Sequence, residues 1–268
     1  MEVLRWARRL SKENFDVAVV SNPMKFFHLV VFLARIPVRV GYRRKWGFLL
    51  TKSCADTKSM RDRHESEYNV EIVSLLEGVS SKELHLPQIN PSSLPIHPDS
   101  EEFVRKVLSE HLTERMDLVA VHPWTTNSKT AWDIDRFIDL INSLLKENLA
   151  VLVIGSPEEM VLWSKHKTHV KGTILDLVGK VPLRHLPALL HSCAVLVSNS
   201  SGPAHIAAAV GTPTVVVGPD SFKSNSQRWH PLGSNHVTLI SPSVDQVVSA
   251  VRDRIPPHSP FVNQQCVS

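Results

Sequence analysis

Cysteine is scarce in this 268-residue sequence: Cys54, Cys193 and Cys266 are an odd number at wide spacing. That excludes a disulfide framework or a cysteine-built zinc site and fits a reducing, cytosolic compartment. No apolar stretch approaches the roughly 18–20 residues of a membrane span; residues 26–34 and 195–197 are among the longest. Behind Met1 stands the basic Arg5-Trp6-Ala7-Arg8-Arg9 in place of an apolar h-region, so no secretory signal is expected. Also missing are Gly-x-Gly-x-x-Gly, Gly-x-x-x-x-Gly-Lys-Ser/Thr and Gly-x-Ser-x-Gly. Dinucleotide enzymes, P-loop NTPases and α/β-hydrolases thereby lose their main sequence support.

What is present is an ordinary globular mixture, 43% hydrophobic and 21% charged, which excludes a disordered, collagenous or coiled-coil chain. The net charge of +4 hides an asymmetry, because residues 1–63 hold 14 Lys/Arg against 5 Asp/Glu. A basic front favours an anionic partner or is simply a solvated cationic face. Arg43-Arg44-Lys45-Trp46 has the charge and aromatic content of a nucleic-acid contact but no recognition motif around it, so no nucleic acid is expected.

From Asp117 onward, short apolar runs alternate with amphipathic segments at intervals that suit βαβ units. Strands are predicted at residues 118–121, 151–154, 173–177, 194–197, 214–217 and 237–240, and helices at 134–146, 158–167, 183–191, 203–210 and 244–254. That is a complete doubly wound layer. The front half yields two strands, 17–20 and 38–41, with helices at 3–10, 23–34 and 63–77. Two strands are marginal alone, and a βα repeat that opens on its helix suggests an absent first strand. Residues 78–100, rich in proline and serine, read as a linker; the helix 101–112 leads into the second layer, and residues 256–268 read as a loose tail. The expected division is therefore residues 1–99 and 100–268, an α/β chain with two Rossmann-like domains, the first incomplete.

Three loops at predicted strand ends could carry chemistry. In Val197-Ser198-Asn199-Ser200-Ser201-Gly202-Pro203-Ala204-His205 a helix opens at the carboxyl end of a strand. Its free N–H groups and positive dipole end make an anion pocket, with Pro203 suited to the first turn; an ordinary capped helix is the plain alternative. The donor-rich loop Thr125-Thr126-Asn127-Ser128-Lys129 follows the first strand of the layer, where open α/β sheets bind ligands, and Lys129 would offset charge on a leaving diphosphate. Gly155-Ser156-Pro157-Glu158-Glu159 follows the next strand; its acids suit ribose hydroxyls or a helix dipole. The long polar loop of residues 219–235, with Lys223, Gln227, Arg228 and Trp229, is a candidate sugar contact, whereas His166 and His169 read as structural rather than metal-binding.

These blocks occur in the order in which they stand in the bacterial heptosyltransferases of glycosyltransferase family 9, which the chain resembles. Thr125-Thr126 with Lys129 and Trp132 matches a Lys-x-Trp-like segment, and Gly155-x-Pro157-x-Glu159 a second motif. Asn199 to His205 is similar to the family's Asn-Asp-Ser-Gly-Pro-x-His signature, and Ile36-Pro37-Val38-Arg39-Val40-Gly41-Tyr42 to its Ile-Pro-x-Arg-x-Gly-Tyr turn. Residues 64–76 resemble the helix that leads to the family's linker.

The resemblance implies a GT-B architecture and an inverting transfer of heptose from ADP-heptose, or a similar nucleotide sugar, to a lipopolysaccharide core. It implies no metal or other cofactor. Thr125, Thr126, Lys129, Ser201, Gly202 and His205 would hold the phosphates, with Lys129 and His205 stabilising the leaving group, and Glu159 would hold the ribose. Ser200 stands where the signature has Asp, so one donor-pocket carboxylate is replaced. The partners implied are the nucleotide sugar and an anionic, lipid-linked glycan acceptor met by the basic front, in the cytoplasm or at the inner membrane surface. The family's Gly-Asp catalytic loop has no counterpart near Met1; Asp16 precedes its strand, and His28 and Asp56 are the remaining candidates for a base. A truncated, non-catalytic nucleotide-sugar-binding protein is the alternative this suggests, and a sugar-nucleotide epimerase is a third.

Overall fold

The computed structural model describes residues 1–76, 94–111, 116–147, 149–233 and 235–255. The expected linker falls largely, and the expected tail and Cys266 wholly, outside the described residues. The chain separates into two compact units, Met1–Pro87 and Gln88–Ser268.

The second unit begins with helix α4 (Pro98–Ser109), followed by strand β4 (Leu118–His122), α5 (Ile134–Lys146), β5 (Ala150–Gly155) and α6 (Met160–His166). Then come β6 (Leu175–Val178), α7 (Leu186–His191), β7 (Val195–Asn199) and α8 (Gly202–Ala209). The unit closes with β8 (Thr214–Gly218), α9 (Lys223–Trp229), β9 (His236–Ile240) and α10 (Val244–Arg252). All six strands are parallel, in the order β6-β5-β4-β7-β8-β9. From β4 the strands are added outward to β5 and β6 on one side and then from β7 to β9 on the other, so the winding reverses between the neighbours β4 and β7, and the crevice outside their carboxyl ends is where such sheets hold ligands.

The near-continuous apolar runs of β4, β5, β7 and β8 follow from helices on both faces. Because strand side chains alternate, Val119, Val121, Val151, Val153, Val195 and Val197 pack with Phe137, Leu140 and Leu144 of α5 and Val247 and Val251 of α10. Leu118, Ala120, Leu152 and Leu196 face the other way, onto Val104 and Leu108 of α4 and Leu189 and Leu190 of α7. Each such Leu or Val removed from water contributes about 1.5–3 kcal/mol. Helix α5 starts where Asp133 accepts a hydrogen bond from the Asp135 N–H at 2.8 Å, and α10 starts at a Ser243–Gln246 capping box.

The first unit contains α1 (Glu2–Lys12), β1 (Val17–Val20), α2 (Lys25–Leu33), β2 (Val38–Tyr42), β3 (Lys52–Cys54) and α3 (Glu65–Val73). Its three strands are parallel in the order β1-β2-β3. Ala7 of α1 and Val31 and Ala34 at α2 cluster with Val20 on one face, and Tyr68 and Ile72 of α3 cover Val40 and Tyr42 on the other. On that second face, Val17 and Val19 of β1 stay exposed. Gly41 has a steric reason, since a Cβ there would lie 2.6 Å from the Val20 carbonyl. Arg39 is a staple: its guanidinium donates to the carbonyls of Leu49 at 2.9 Å and Ile36 at 2.6 Å.

Five expectations need correction. A third strand, β3, joins the first sheet; Lys-Ser-Cys has no apolar alternation to announce it. The polar stretch 219–235 is not all loop, because a 3-10 turn at Asp220–Phe222 leads into α9. The segment 158–167 is helical only over Met160–His166, with a 3-10 turn on each side, and 183–191 likewise opens with a 3-10 turn at Leu183–His185. Helix α3 is shorter than the predicted 63–77 because its apolar pattern outruns its hydrogen-bonded core.

Candidate functional site

The β4–β7 junction builds the site. The register sets His122 beside Ser198, and the chain leaves both strands polar. Asn199 is fully buried; its Nδ2 donates to the Pro123 carbonyl at 2.7 Å, and its Oδ1 accepts the Trp132 N–H at 2.8 Å. One amide thus ties both ends of the 123–132 loop to the end of β7. The Trp124 indole donates to the Ile154 carbonyl at 3.1 Å and stands edge-on to Trp163. A Cβ on Gly155 would come within 2.6 Å of Trp124 Nε1 and 2.9 Å of Glu159 Oε2, so glycine lets the loops after β4 and β5 close here.

These loops enclose a hollow of about 430 Å³ whose polar wall holds Thr125, Thr126, Glu159 and Ser200 to Pro203, and whose apolar wall holds Val181, Leu183 and Leu186. An adjoining recess of about 380 Å³ shares Thr125, Thr126 and Ser200 to Gly202 and adds His205, Asn225 and Trp229. The start of α8 opens on both. Ser201, at its N-cap, makes no side-chain cap bond, and a Cβ on Gly202 would meet nothing within 4 Å. An uncapped helix start with open space before it is a place for an anion.

Eight of the nine residues expected at the site therefore border the two hollows. Lys129 does not: it is exposed on the 3-10 turn Ser128–Thr130, its N–H donating to Asn127 Oδ1 at 3.2 Å. Glu159 borders the larger hollow, yet one of its oxygens already accepts the Ser156 N–H at 2.6 Å. It serves as a loop cap. Of the polar 219–235 stretch, Trp229 reaches the recess and Lys223, Gln227 and Arg228 do not.

His122 escaped the sequence reading. It is 7% exposed, and its Nδ1 lies 3.1 Å from Ser201 Oγ and 3.3 Å from Ser198 Oγ. Burial pushes its pKa down to about 4, so the ring is neutral at pH 7. The signal was there in the pairing of a strand-ending histidine with a serine one strand away, but it needed the register.

In the first unit, His28 is fully buried, and burial, helped by Lys45, holds its pKa below the usual histidine value. Among the described residues of this unit, each acidic side chain after β3 is engaged: Asp56 with Arg44 at 2.9 Å, Asp62 with the Tyr68 hydroxyl, Glu65 with Lys58, Glu67 with the His64 N–H, and Glu71 with Arg63. His166 lies 3.6 Å from Asp135, and His169 meets the His166 carbonyl.

A doubly wound sheet whose switch point carries an open helix N-terminus, hydroxyls and two adjoining hollows defines the type of α/β protein that holds ligands at its strand ends. The family comparison is more specific: residues 3–251 match the model of glycosyltransferase family 9 (heptosyltransferase), and the chain belongs to that family. Lipopolysaccharide heptosyltransferase 3 of Escherichia coli is 24% identical over 211 residues, covering 77% of this chain and 59% of that protein. Among solved structures, E. coli ADP-heptose lipopolysaccharide heptosyltransferase II superposes with a TM-score of 0.78 at 18% identity, over 95% of this chain and 82% of that one. E. coli heptosyltransferase WaaC with ADP superposes at 0.64 and 17% identity, over 94% and 77%. Both likenesses are of fold, and the α/β, GT-B-like class with two parallel Rossmann-like sheets agrees with them.

Proposed function

We propose that this chain transfers heptose or a related sugar from an ADP-sugar to an anionic, lipid-linked lipopolysaccharide core acceptor, with inversion at the anomeric carbon. The observation that carries this reading is the uncapped start of α8 at Ser201 and Gly202, facing hollows of nucleotide size with hydroxyls on the opposite wall. The solved WaaC structure with ADP and the family match supply the nucleotide. In this reading the diphosphate sits before α8, between Thr125, Thr126, Ser200, Ser201 and His205, the ribose meets the outer oxygen of Glu159, and Pro203 sets the first turn. Lys129 approaches from its exposed turn when charge develops. The positive field comes from these groups, so the reading requires no metal. An acceptor oxygen attacks the anomeric carbon opposite the diphosphate, the bond to the diphosphate breaks, and the hydroxyl proton passes to a base.

The basic first unit, with Trp46 and the exposed Phe48 beside Lys25, supports an anionic acceptor at the cytoplasmic face of a membrane. The pairing of Asp56, Asp62, Glu65, Glu67 and Glu71, the described acids after β3 in the first unit, favours a second reading, donor binding without transfer. Acceptor-dependent release of ADP from ADP-heptose, measured with heptose-deficient lipopolysaccharide core, separates the two. Transfer predicts release that falls at least tenfold in Lys129→Ala and Gly202→Val. ADP binding without release would establish the second reading, and failure to bind ADP would remove both.

A further inference from the structure

Three atoms at the switch point leave little freedom in where their protons go. Ser198 Oγ donates to the Asn199 carbonyl at 2.7 Å, and a hydroxyl has one proton, so toward His122 and Ser201 it can only accept. Ser201 Oγ lies 2.9 Å from Ser198 Oγ, and His122 Nδ1 lies within 3.3 Å of both. Were Nδ1 unprotonated, its lone pair would face that of Ser198 in a buried site, a repulsive contact between two acceptors. Ser201 would then spend its proton inward, on Nδ1 or on Ser198, and turn lone pairs toward any anion before α8. With the proton on Nδ1, both serine oxygens accept from the ring, Nδ1 no longer takes the Ser201 proton, and an anion before α8 competes for it against Ser198 alone. That Ser201 leaves its own helix uncapped agrees with its being held from behind.

We infer that His122 is a positioning residue: a neutral ring protonated on Nδ1 that donates to Ser201 and so aims the Ser201 hydroxyl proton at the anionic group bound before α8. The identity of that anion rests on the donor-site reading; the ring tautomer does not.

Two measurements on the full chain test it. Long-range 1H–15N correlation of the histidine rings at pH 7, without ligand and with His122 assigned by its loss in His122→Asn, should show a neutral ring protonated at Nδ1. A ring protonated at Nε2 would overturn the proposal. ADP calorimetry is then run on wild type, His122→Asn, His122→Phe, Ser201→Ala and the Phe–Ala double variant, each checked for cooperative unfolding. Asparagine keeps an N–H near the Nδ1 position and should stay within about threefold of wild type, whereas His122→Phe should lose about tenfold, the scale of one hydrogen bond to an anion's partner. In the Ser201→Ala background the Phe substitution should cost less than about twofold, because its route is already cut. Full additivity, or an Asn variant as weak as Phe, would overturn it; if Phe fails to fold, an Asn variant that loses about tenfold would overturn it, and the ring spectrum decides the tautomer. A wild type that binds no ADP would remove the donor-site reading and the ligand half of this inference, while the ring spectrum would still decide whether His122 holds Ser201.

Discussion

The two sheets are built from the same kind of unit, yet they differ in how completely they are covered. In the second, every residue of β4, β7 and β8 is buried and helices lie on both faces. In the first, α3 covers β2 while Val17 and Val19 of the neighbouring β1 are 41% and 46% exposed on the same face. Buried core is thus concentrated in the second unit, which carries the candidate donor site at the end of two strands buried at every residue. The first unit contributes charge and a small core. A site that must hold a diphosphate to within a fraction of an ångström belongs on the better-packed sheet.

The sharpest way to break this contrast is a deletion in each core. Phe137→Ala removes a fully buried ring stacked edge-on against Trp132 and should cost about 3–5 kcal/mol in urea unfolding. Val19→Ala in the first unit should cost less than about 0.5 kcal/mol. Equal losses would mean that the two sheets are not as different as their burial suggests.

Acid comes next. His122 has a folded pKa of about 4 against about 6.5 unfolded, so below pH 6.5 the unfolded chain binds a proton that the folded chain refuses. Stability in the second unit should therefore fall as pH drops from 6.5 to 4, by up to about 3 kcal/mol from this residue. Unfolding of His122→Asn across that range should show a flatter acid limb than wild type. An unchanged slope would place the ring in contact with water.

Asn199→Ala should cost about 2–3 kcal/mol, since it leaves the Trp132 N–H and the Pro123 carbonyl without their partner. ADP affinity should fall with it as the 123–132 loop loosens. Smallest in stability is Gly202→Ala: its Cβ meets open space, so unfolding should move by less than about 1 kcal/mol, while the added methyl enters the volume an anion would use and weakens ADP at least threefold.

Much of this was legible in the residues, and unevenly so. Four strands of the second sheet, β4, β5, β7 and β8, stood out as runs of Val, Ile, Leu and Ala because parallel strands buried on both faces leave no room for polar alternation, whereas β6, with Asp176, and the half-buried β9 were fainter. Helix α5 was legible to the residue, because Asp133 caps it and its apolar stripe is unbroken. β3 and α9 were not, since three residues of Lys-Ser-Cys and a helix of Lys-Ser-Asn-Ser-Gln-Arg-Trp carry no period; neighbours, not propensity, fix them. Of the site, the Ser-Gly-Pro-x-His block was plain from its strand-turn-helix setting. His122 was hidden because its meaning lies in a partner 76 positions away. The distance of Lys129 from the hollows was equally hidden, because which way a loop turns is set by contacts such as Ser221 on its carbonyl.

The central claim is that the second unit presents a nucleotide-diphosphate site at the start of α8. Calorimetric titration of the purified chain with ADP, using UDP and GDP as controls and Gly202→Val as the blocked variant, tests it most directly. The account predicts binding selective for ADP that is lost in Gly202→Val while thermal unfolding is unchanged. A folded wild-type chain that binds no nucleotide, or that binds ADP equally well with valine at position 202, would contradict it.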